Sequence, residues 1–467
     1  MRSGMDARGW ALVAALAFAA AGSVPAQSAR LCLSGSNTVG QKLAPALVKA
    51  WAAQQGWTLQ SQTQPALDET RLSLRTPRGP LLVDVLAHGT STGFAALRDG
   101  DCDLWMASRA VRDEEIEEAR LLGKLYERGL EHVIALDGLA VIVHPSNRLS
   151  ALRVEQVRDI FAGRIRSWAQ IGGAPAAIAL HARDDRSGTY DTFRSLVMGD
   201  AALSPASARY ESTEQLAAAV AADPHAIGFV GLAGVGRAKA LALSERGTVP
   251  MAPTPLSVAT EDYLLSRRLF LYSALQPRAE AQALLDFAVG PSGQAVVAEV
   301  GFVPQDIRAL VQAAPSNADY RALVAGARRL SLNFRFGEGA AVLDNKAVED
   351  IERLARFMQQ PGQAGHELLL LGFADRSEST PYLALSLSND RVDLVAAELR
   401  AHRLRVARQR GLGQIAPVAS NDTPQGRQRN RRVEVWIRPI AGAAATSSAS
   451  PSAPAARPAS TQRTSGR

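Results

Sequence analysis

The sequence is poor in the residues that build metal sites and membrane spans. Its 467 residues include only two cysteines and seven histidines, and none of them cluster with the spacing of a tetrahedral metal site. After residue 26 no apolar run approaches the roughly 18 residues of a spanning helix, because the leucines at 368–371 have polar flanks. We therefore predict no metal, no cofactor and no membrane span in the mature protein.

Aromatic residues make up only 5% of the chain, which limits what its positive charge can bind. The formal net charge is +7, and many arginines crowd residues 400–432. Nucleic-acid-binding surfaces interleave such charges with aromatic side chains that stack on bases, and no aromatic residue interrupts this stretch. We predict no nucleic-acid partner, and a basic face that meets either solvent or an anionic envelope polymer.

The start of the chain has the pattern of a secretory signal. Arg2 and Arg8 precede an apolar run over 10–21, and small residues lead to a cleavage site after Ala26. Export places the mature chain in an oxidising compartment. There Cys32 and Cys102 can form a disulfide, although their spacing alone leaves the pairing open.

Residues 27–305 have the hydrophobic pattern of an α/β domain. Short apolar strands alternate with helical stretches, and this order favours a largely parallel sheet. The clearest predicted strands are 30–33, 81–86, 103–107 and 139–143.

The pattern changes after residue 305. Residues 306–329 are predicted to be a helical connector, 330–440 a small α+β module, and 441–467 a disordered tail of Ala, Ser, Pro, Thr and Arg. Within the module we predict strands at 330–336, 367–372 and 432–437, and helices at 345–358 and 389–399.

The segment from Arg183 to Thr189 has the pattern of an oxyanion site. It places an arginine ahead of a Ser-Gly-Thr corner, and apolar residues at helical spacing follow. The backbone amides of Ser187, Gly188 and Thr189 would be the donors of a helix N-terminus, while Arg183 adds a charged fork of N–H groups. By itself the pattern also fits an ordinary helix N-cap.

Two similar clusters precede this motif, at 34–38 and 89–93, and each follows a predicted strand and opens a helix. Loops after the carboxyl ends of strands converge on one crevice in an open α/β sheet, so we expect the three clusters to surround one anion. Arg109, after the strand at 103–107, either adds a second positive fork to that anion or forms a surface ion pair.

With these clusters, residues 31–305 resemble the periplasmic phosphate-binding proteins of phosphate ABC transporters. The matching motifs are Gly35-Ser36-Asn37-Thr38-Val39, Gly89-Thr90-Ser91-Thr92-Gly93, Asp103-Leu104-Trp105-Met106-Ala107-Ser108-Arg109, Ile160-Phe161-Ala162-Gly163-Arg164-Ile165, Arg183 to Thr189, Ala226-Ile227-Gly228-Phe229-Val230 and Gly301-Phe302-Val303-Pro304.

The resemblance implies a two-lobed periplasmic-binding-protein fold of type II that closes on phosphate and hands it to an ABC permease. It also implies that Asp185 orients the site arginine. Some family members have an aspartate where Ser108-Arg109 stands here, so selectivity for phosphate over sulfate is expected only from the resemblance. The implied phosphate ligands are Thr38, the backbone of Val39, Thr90, Arg183, Ser187, Gly188 and Thr189.

Residues 330–439 resemble the OmpA-like peptidoglycan-binding domain. The resemblance implies that Asp375 binds the ammonium of diaminopimelate and that Arg391 binds its carboxylate, a pairing that suits both charges. For each residue the alternative is an ordinary surface ion pair. The matching motifs are Gly372-Phe373-Ala374-Asp375, Leu387-Ser388-Asn389-Asp390-Arg391, Gly411-Leu412-Gly413 and Gly426-Arg427-Gln428-Arg429-Asn430-Arg431-Arg432-Val433-Glu434.

The leading hypothesis is a non-enzymatic periplasmic phosphate-binding protein tethered to peptidoglycan, near the outer membrane, that serves phosphate uptake. The alternative is a structural or sensory envelope protein whose binding module reports its ligand. A phosphatase that uses Ser187 as nucleophile is disfavoured, because no histidine or lysine in these motifs would activate the hydroxyl.

Overall fold

A computed structural model describes residues 29–185, 187–377 and 380–440. The predicted secretory signal at 1–26 and the predicted tail at 441–467 lie outside these residues. Within the described ranges, no helix is both long and apolar enough to cross a membrane.

Strands and helices alternate along the chain. The strands are β1 Ala29–Gly35, β2 Thr58–Thr63, β3 Glu69–Thr76, β4 Gly79–Leu86, β5 Leu104–Ala107, β6 Glu131–Val143, β7 Ala151–Arg153, β8 Ala179–Arg183, β9 Ala208–Tyr210, β10 Ala226–Gly231, β11 Lys239–Ala240, β12 Ala242–Ser244, β13 Ser266–Ser273, β14 Ala309–Leu310, β15 Arg328–Arg335, β16 His366–Phe373, β17 Val406–Gly411 and β18 Arg432–Pro439. The α-helices are α1 Ala44–Gln54, α2 Thr90–Asp99, α3 Asp113–Glu118, α4 Val154–Phe161, α5 Gly188–Phe193, α6 Thr213–Ala222, α7 Pro255–Ala259, α8 Ala279–Val289, α9 Pro291–Val300, α10 Ala318–Leu323, α11 Asn345–Met358, α12 Pro381–Ala401 and α13 Pro424–Asn430.

The described chain forms two compact units. The first contains residues up to 125 together with 270–296, and the second contains 126–269 together with the chain from 297 onward. The region predicted as an α+β module therefore belongs to the same compact unit as residues 126–269.

The first unit is built on a mixed sheet. Its strand order is β2-β3-β4-β1-β5, followed by residues 270–273 of β13. Only the β4-β1 and β1-β5 pairs are parallel. The expectation of a largely parallel sheet is wrong here, because β2, β3 and β4 follow one another through short connections, which join antiparallel strands. A disulfide joins Cys32 on β1 to Cys102, so the pairing that the sequence left open is formed.

Residues 126–269 of the second unit also form a mixed sheet. β8 pairs in parallel with β9 and β10, whereas β6 pairs antiparallel with β10 and β11. The rings of Phe193 and Phe229 stack at 3.8 Å in the core that these strands share with helices α4 and α5. This packing holds the end of α5 against β10.

The C-terminal region of the second unit, residues 330–440, forms a five-stranded sheet together with residues 309–310 and 328–329, and this region also contains helices. The strand order is β14-β15-β18-β16-β17, and β16-β17 is the parallel pair. Asp344 caps the start of helix α11, and its carboxylate accepts from the Ala347 amide at 2.8 Å. The α+β prediction is confirmed, and α11 has the predicted bounds.

The four leucines at 368–371 are buried on both faces of this sheet. Alternate side chains of a strand point to opposite faces, and Leu368 and Leu370 lie in one apolar cluster while Leu369 and Leu371 lie in another. The predicted helical connector at 306–329 is only partly helical, because β14 pairs with β15 and helix α10 spans just Ala318–Leu323.

Candidate functional site

Arg183 lies at the carboxyl end of β8, and its guanidinium is half-enclosed by the loop after β9. Nε donates to the Tyr210 carbonyl at 3.2 Å, Nη2 to the Glu211 carbonyl at 2.8 Å, and Nη1 to the Thr213 hydroxyl at 2.6 Å. These bonds account for three of the five N–H groups of an arginine. Burial lowers the pKa of Arg183, but an arginine keeps its charge at neutral pH.

Ser187, Gly188 and Thr189 open helix α5, as predicted. Ser187 is the N-cap, and its hydroxyl accepts from the Thr189 amide at 3.2 Å. The hydroxyl therefore caps the helix in this structure, which is the ordinary role that the sequence analysis left open. The helical path continues beyond α5 as a π-helix over Arg194–Met198.

Three side chains that the sequence analysis did not identify form hydrogen bonds around the Gly188 carbonyl at this helix start. Arg267 donates through Nη2 to the Gly188 carbonyl and through Nε to Asp137, both at 3.2 Å. The Thr192 hydroxyl lies 2.8 Å from the same carbonyl and 3.2 Å from Asp137. These residues are far apart in the chain; the available signal was an arginine pair, Arg267 and Arg268, inside an otherwise apolar strand.

The acid expected to orient Arg183 is not the one found beside it. Asp185 is largely exposed and forms an ion pair with Arg209 instead. The carboxylate of Asp184 lies 3.7 Å from Arg183 Nη2. Asp184 is therefore the acidic partner of Arg183 in this structure.

The two clusters of the first unit come together at the carboxyl ends of β4, β1 and β5, as predicted. The Gly89 amide donates to the Gly35 carbonyl at 2.8 Å, and the Ser36 amide donates to the Met106 carbonyl at 2.8 Å. Gly35 has a φ of +137°, and a Cβ there would lie 2.1 Å from the Met106 oxygen. Only glycine fits this approach.

Thr38, Val39 and Thr90 lie at the helix starts of these loops. Thr38 is 9% exposed, and Val39 begins the helical turn that leads into α1. Thr90 begins α2, and its hydroxyl accepts from the Ser108 amide at 3.3 Å. The Thr90 carbonyl accepts from the Trp105 indole at 2.7 Å, which fixes the start of α2 against β5.

Arg109 forms an ion pair, which is one of the two roles that the sequence left open. Its Nη1 and Nη2 donate to the two oxygens of Glu115 at 2.8 and 2.6 Å. Burial alone would raise the pKa of Glu115, but the hydrogen bonds from Arg109 and from the Arg112 amide lower it. The charge of Arg109 is thus balanced locally.

Asp375 in the C-terminal region is buried and forms several hydrogen bonds. One carboxylate oxygen accepts from Arg431 Nη1 at 2.7 Å, and the other accepts from the amide and hydroxyl of Ser377 at 2.6 Å. Although burial opposes it, these bonds lower the pKa of Asp375, so the carboxylate is charged at neutral pH. Asp375 is 1% exposed, so the surface ion pair considered as its alternative is not what forms.

Arg391 is fully buried on helix α12. Its Nε donates to the Ala340 carbonyl and its Nη2 to the Gly337 carbonyl, both at 3.1 Å, and its guanidinium lies 5.4 Å from the Phe336 ring. The Phe336 carbonyl accepts from Arg431, the partner of Asp375. Phe336 therefore links the two predicted ligand residues, and Arg391 too is not part of a surface ion pair.

Among the described residues, no group of three or more His, Cys, Asp or Glu side chains is placed to hold a metal ion.

Comparisons with known proteins agree with both halves of this description. Residues 60–292 match the model of the PBP superfamily domain, and residues 335–431 match the OmpA family. The Phosphate-binding protein PstS of Borreliella burgdorferi is 25% identical over 248 residues, which cover 51% of this chain and 85% of that protein. Protein SphX of Synechococcus elongatus is 28% identical over 244 residues, which cover 50% of this chain and 71% of that protein.

Among solved structures, an ABC-type phosphate transport receptor from Vibrio cholerae aligns with a TM-score of 0.45 and 24% identity, covering 58% of this chain and 99% of that one. Residues 60–292 are thus similar to a PBP superfamily domain, and residues 335–431 are similar to an OmpA family domain.

Proposed function

We propose that this protein binds inorganic phosphate without turnover and is held on peptidoglycan in the periplasm, where it serves phosphate uptake through an ABC permease. The observation that carries the proposal is the corner after β8, where Arg183 lies beside the capped start of α5. Relatives of this domain include proteins named for phosphate binding, and this supports phosphate as the anion.

Arg183 and the backbone of Ser187, Gly188 and Thr189 are the proposed phosphate ligands of the second unit. The short hydrogen bonds of the guanidinium go to neutral carbonyls and a hydroxyl, and the Asp184 carboxylate lies 3.7 Å away, so its charge is only partly balanced. Thr38, Val39 and Thr90 are the proposed ligands of the first unit. Arg109 is kept as a weaker contributor, since Glu115 already binds its two Nη groups.

Calorimetric titration with phosphate and with sulfate tests the binding proposal. We expect saturable binding of phosphate and weak binding of sulfate. Arg183→Ala should weaken phosphate binding by about tenfold or more, because a hydrogen bond to a charged group contributes about 1.5–3 kcal/mol. Arg164→Ala is the matched control, since Arg164 is an exposed arginine of the same unit that pairs with Asp159. Unchanged affinity in Arg183→Ala would contradict the assignment.

Asp375 and Arg391 are the proposed peptidoglycan ligands. The ammonium of diaminopimelate would compete with Arg431 for the Asp375 carboxylate, and its carboxylate would approach the Arg391 guanidinium. Co-sedimentation with purified peptidoglycan should lose signal in Asp375→Asn and in Arg391→Lys, with folding checked by thermal unfolding. Asp390→Asn is the control, because Asp390 is an exposed acid next to Arg391. Retention of binding by both folded variants would reject the anchoring role.

Binding without turnover is tested with an aryl phosphate. We expect no release of the aryl alcohol by the purified protein at any concentration that saturates phosphate binding. Release that is abolished by Ser187→Ala would instead assign phosphatase chemistry to the corner after β8.

A further inference from the structure

The C-terminal region forms hydrogen bonds to a short segment within residues 126–269, and this segment lies just before Arg267 in the chain. This docking segment, residues 260–264, follows α7 and precedes β13. Arg335 Nη2 donates to the Thr260 carbonyl at 2.6 Å and to Asp262 at 2.7 Å. Asn333 donates to the same two acceptors at 3.0 and 2.9 Å. All these side chains are buried, so the contact is part of the interior of the second unit.

The end of helix α13 also forms a hydrogen bond to the docking segment. Arg429 donates through Nη2 to the Leu264 carbonyl at 3.0 Å, and the Arg429 carbonyl in turn accepts from Arg335. The docking segment is thus held at both ends by residues from two elements of the C-terminal region. A buried backbone carbonyl that lost these donors would be left unsatisfied.

The charged side chains around the docking segment also pair across to the C-terminal region. Arg268 lies 2.9 Å from Glu261 and 2.6 Å from Asp344, the capping residue of α11. Burial opposes ionisation of Glu261, yet Arg268, Lys346 and Arg335 lower its pKa to about 2. Two of those three cations belong to the C-terminal region.

Arg267 connects the docking segment to the start of α5. It follows the docking segment by three residues and precedes Arg268. On the other side it binds Asp137 and the Gly188 carbonyl, as described above. The C-terminal region binds residues 260–264 before Arg267 and Arg268 after it. The position of Arg267, and through it that of the Gly188 peptide, therefore depends on these contacts.

We propose that Asn333 and Arg335 of the C-terminal region are positioning residues for the anion site, acting through residues 260–264 and Arg267 on the start of α5. The proposal rests on the proposed phosphate-binding function. It adds that the OmpA family domain is more than an anchor, because it helps to set the geometry of the phosphate ligands in the second unit.

The test uses full-length Asn333→Ala and Arg335→Met variants, with Val395→Ala as the control. Val395 is a buried residue in the core of the C-terminal region, so its truncation destabilises the same region without touching residues 260–264. We expect both interface variants to weaken phosphate binding about three- to tenfold in calorimetry, and Val395→Ala to leave it unchanged. Adding Arg335→Met to Arg267→Gln should bring no further loss, since both act on the same peptide.

Hydrogen exchange of the unliganded protein separates this proposal from the proposed function. We expect the amides of 187–193 to exchange several-fold faster in Asn333→Ala and Arg335→Met than in the wild type or Val395→Ala. If the wild type fails to bind phosphate, the proposed function is rejected while the exchange experiment still decides the positioning role. Exchange at 187–193 that matches the wild type in both interface variants overturns the positioning role, and this readout remains measurable in any variant that folds.

Discussion

At the scale of single residues, the partner of each arginine determines what it offers to a ligand. Arg183 donates to two carbonyls and a hydroxyl, and the Asp184 carboxylate lies 3.7 Å from its Nη2, so its charge is only partly balanced. Arg109 donates to both oxygens of Glu115, so its charge is balanced within the pair. The sequence placed both arginines after strands, but it could not show which partners each one binds. Those partners depend on the folded structure.

A double variant tests this distinction. Arg109→Ala combined with Glu115→Ala should keep phosphate affinity within about threefold of the wild type, since removing a balanced, partly exposed pair changes the local charge little. Arg183→Ala in the same calorimetric series serves as the reference for a strong loss. A loss in the double variant as large as that of Arg183→Ala would show that Arg109 binds the anion directly.

Glu434 is the residue for which the structure makes the clearest pH prediction. It is buried, and it binds Arg432 at 2.8 Å, the Trp436 indole at 3.1 Å and the Tyr320 hydroxyl. Burial would raise its pKa, but Arg329 and Arg432 lower the pKa from its ordinary 4.5 to about 2. A carboxylate whose pKa is lower in the folded than in the unfolded state stabilises the fold at pH values above its unfolded-state pKa. That stabilisation is lost as the pH falls toward the folded-state pKa.

The free energy of unfolding should therefore decrease as the pH falls from about 4.5 to about 2. Glu434→Gln should be less stable than the wild type at pH 7 by about 3 kcal/mol, as expected when one partner of a buried ion pair is removed. The difference should shrink below pH 4.5, as denaturant unfolding at several pH values would measure. A constant difference between the two proteins down to pH 2 would reject this account of Glu434.

At the scale of helices and strands, hydrophobic periodicity predicted the elements that bury one clear face. Helix α11 has its predicted bounds because its apolar residues recur at helical spacing after a capping aspartate. Strand β2 was missed because every one of its residues is exposed, so no apolar alternation marks it. The mixture of parallel and antiparallel strand pairs was also not predicted from the sequence, since strand direction depends on the connections between strands rather than on their composition.

Gly93 shows how closely these elements approach one another at the candidate site. A Cβ at this position of α2 would lie 2.3 Å from the Ser34 carbonyl, which belongs to β1. We expect Gly93→Ala to lower the free energy of unfolding by about 2 kcal/mol, because the helix must move away from the strand. Thermal unfolding measures the loss, with Gly362→Ala as control because a Cβ there meets no atom within 4 Å. Equal stability of the two variants would show that α2 is not packed this tightly.

At the scale of the whole chain, the sequence predicted two modules but not the contact between residues 126–269 and the C-terminal region. The motifs around Arg183 and Arg391 identified the two families because each motif is local. The docking segment at 260–264 could not be found in this way. Its partners, Asn333, Arg335 and Arg429, lie about 70 to 165 residues away in the chain.

The central claim is that one molecule carries phosphate while it is held on peptidoglycan. The most direct measurement is co-sedimentation of radiolabelled phosphate with purified peptidoglycan in the presence of the mature protein. We predict protein and phosphate in the pellet in nearly equal molar amounts. Arg183→Ala should bring down protein without phosphate, and Asp375→Asn should leave both in solution. A wild-type pellet that contains the protein but no phosphate, or neither of them, would contradict the account.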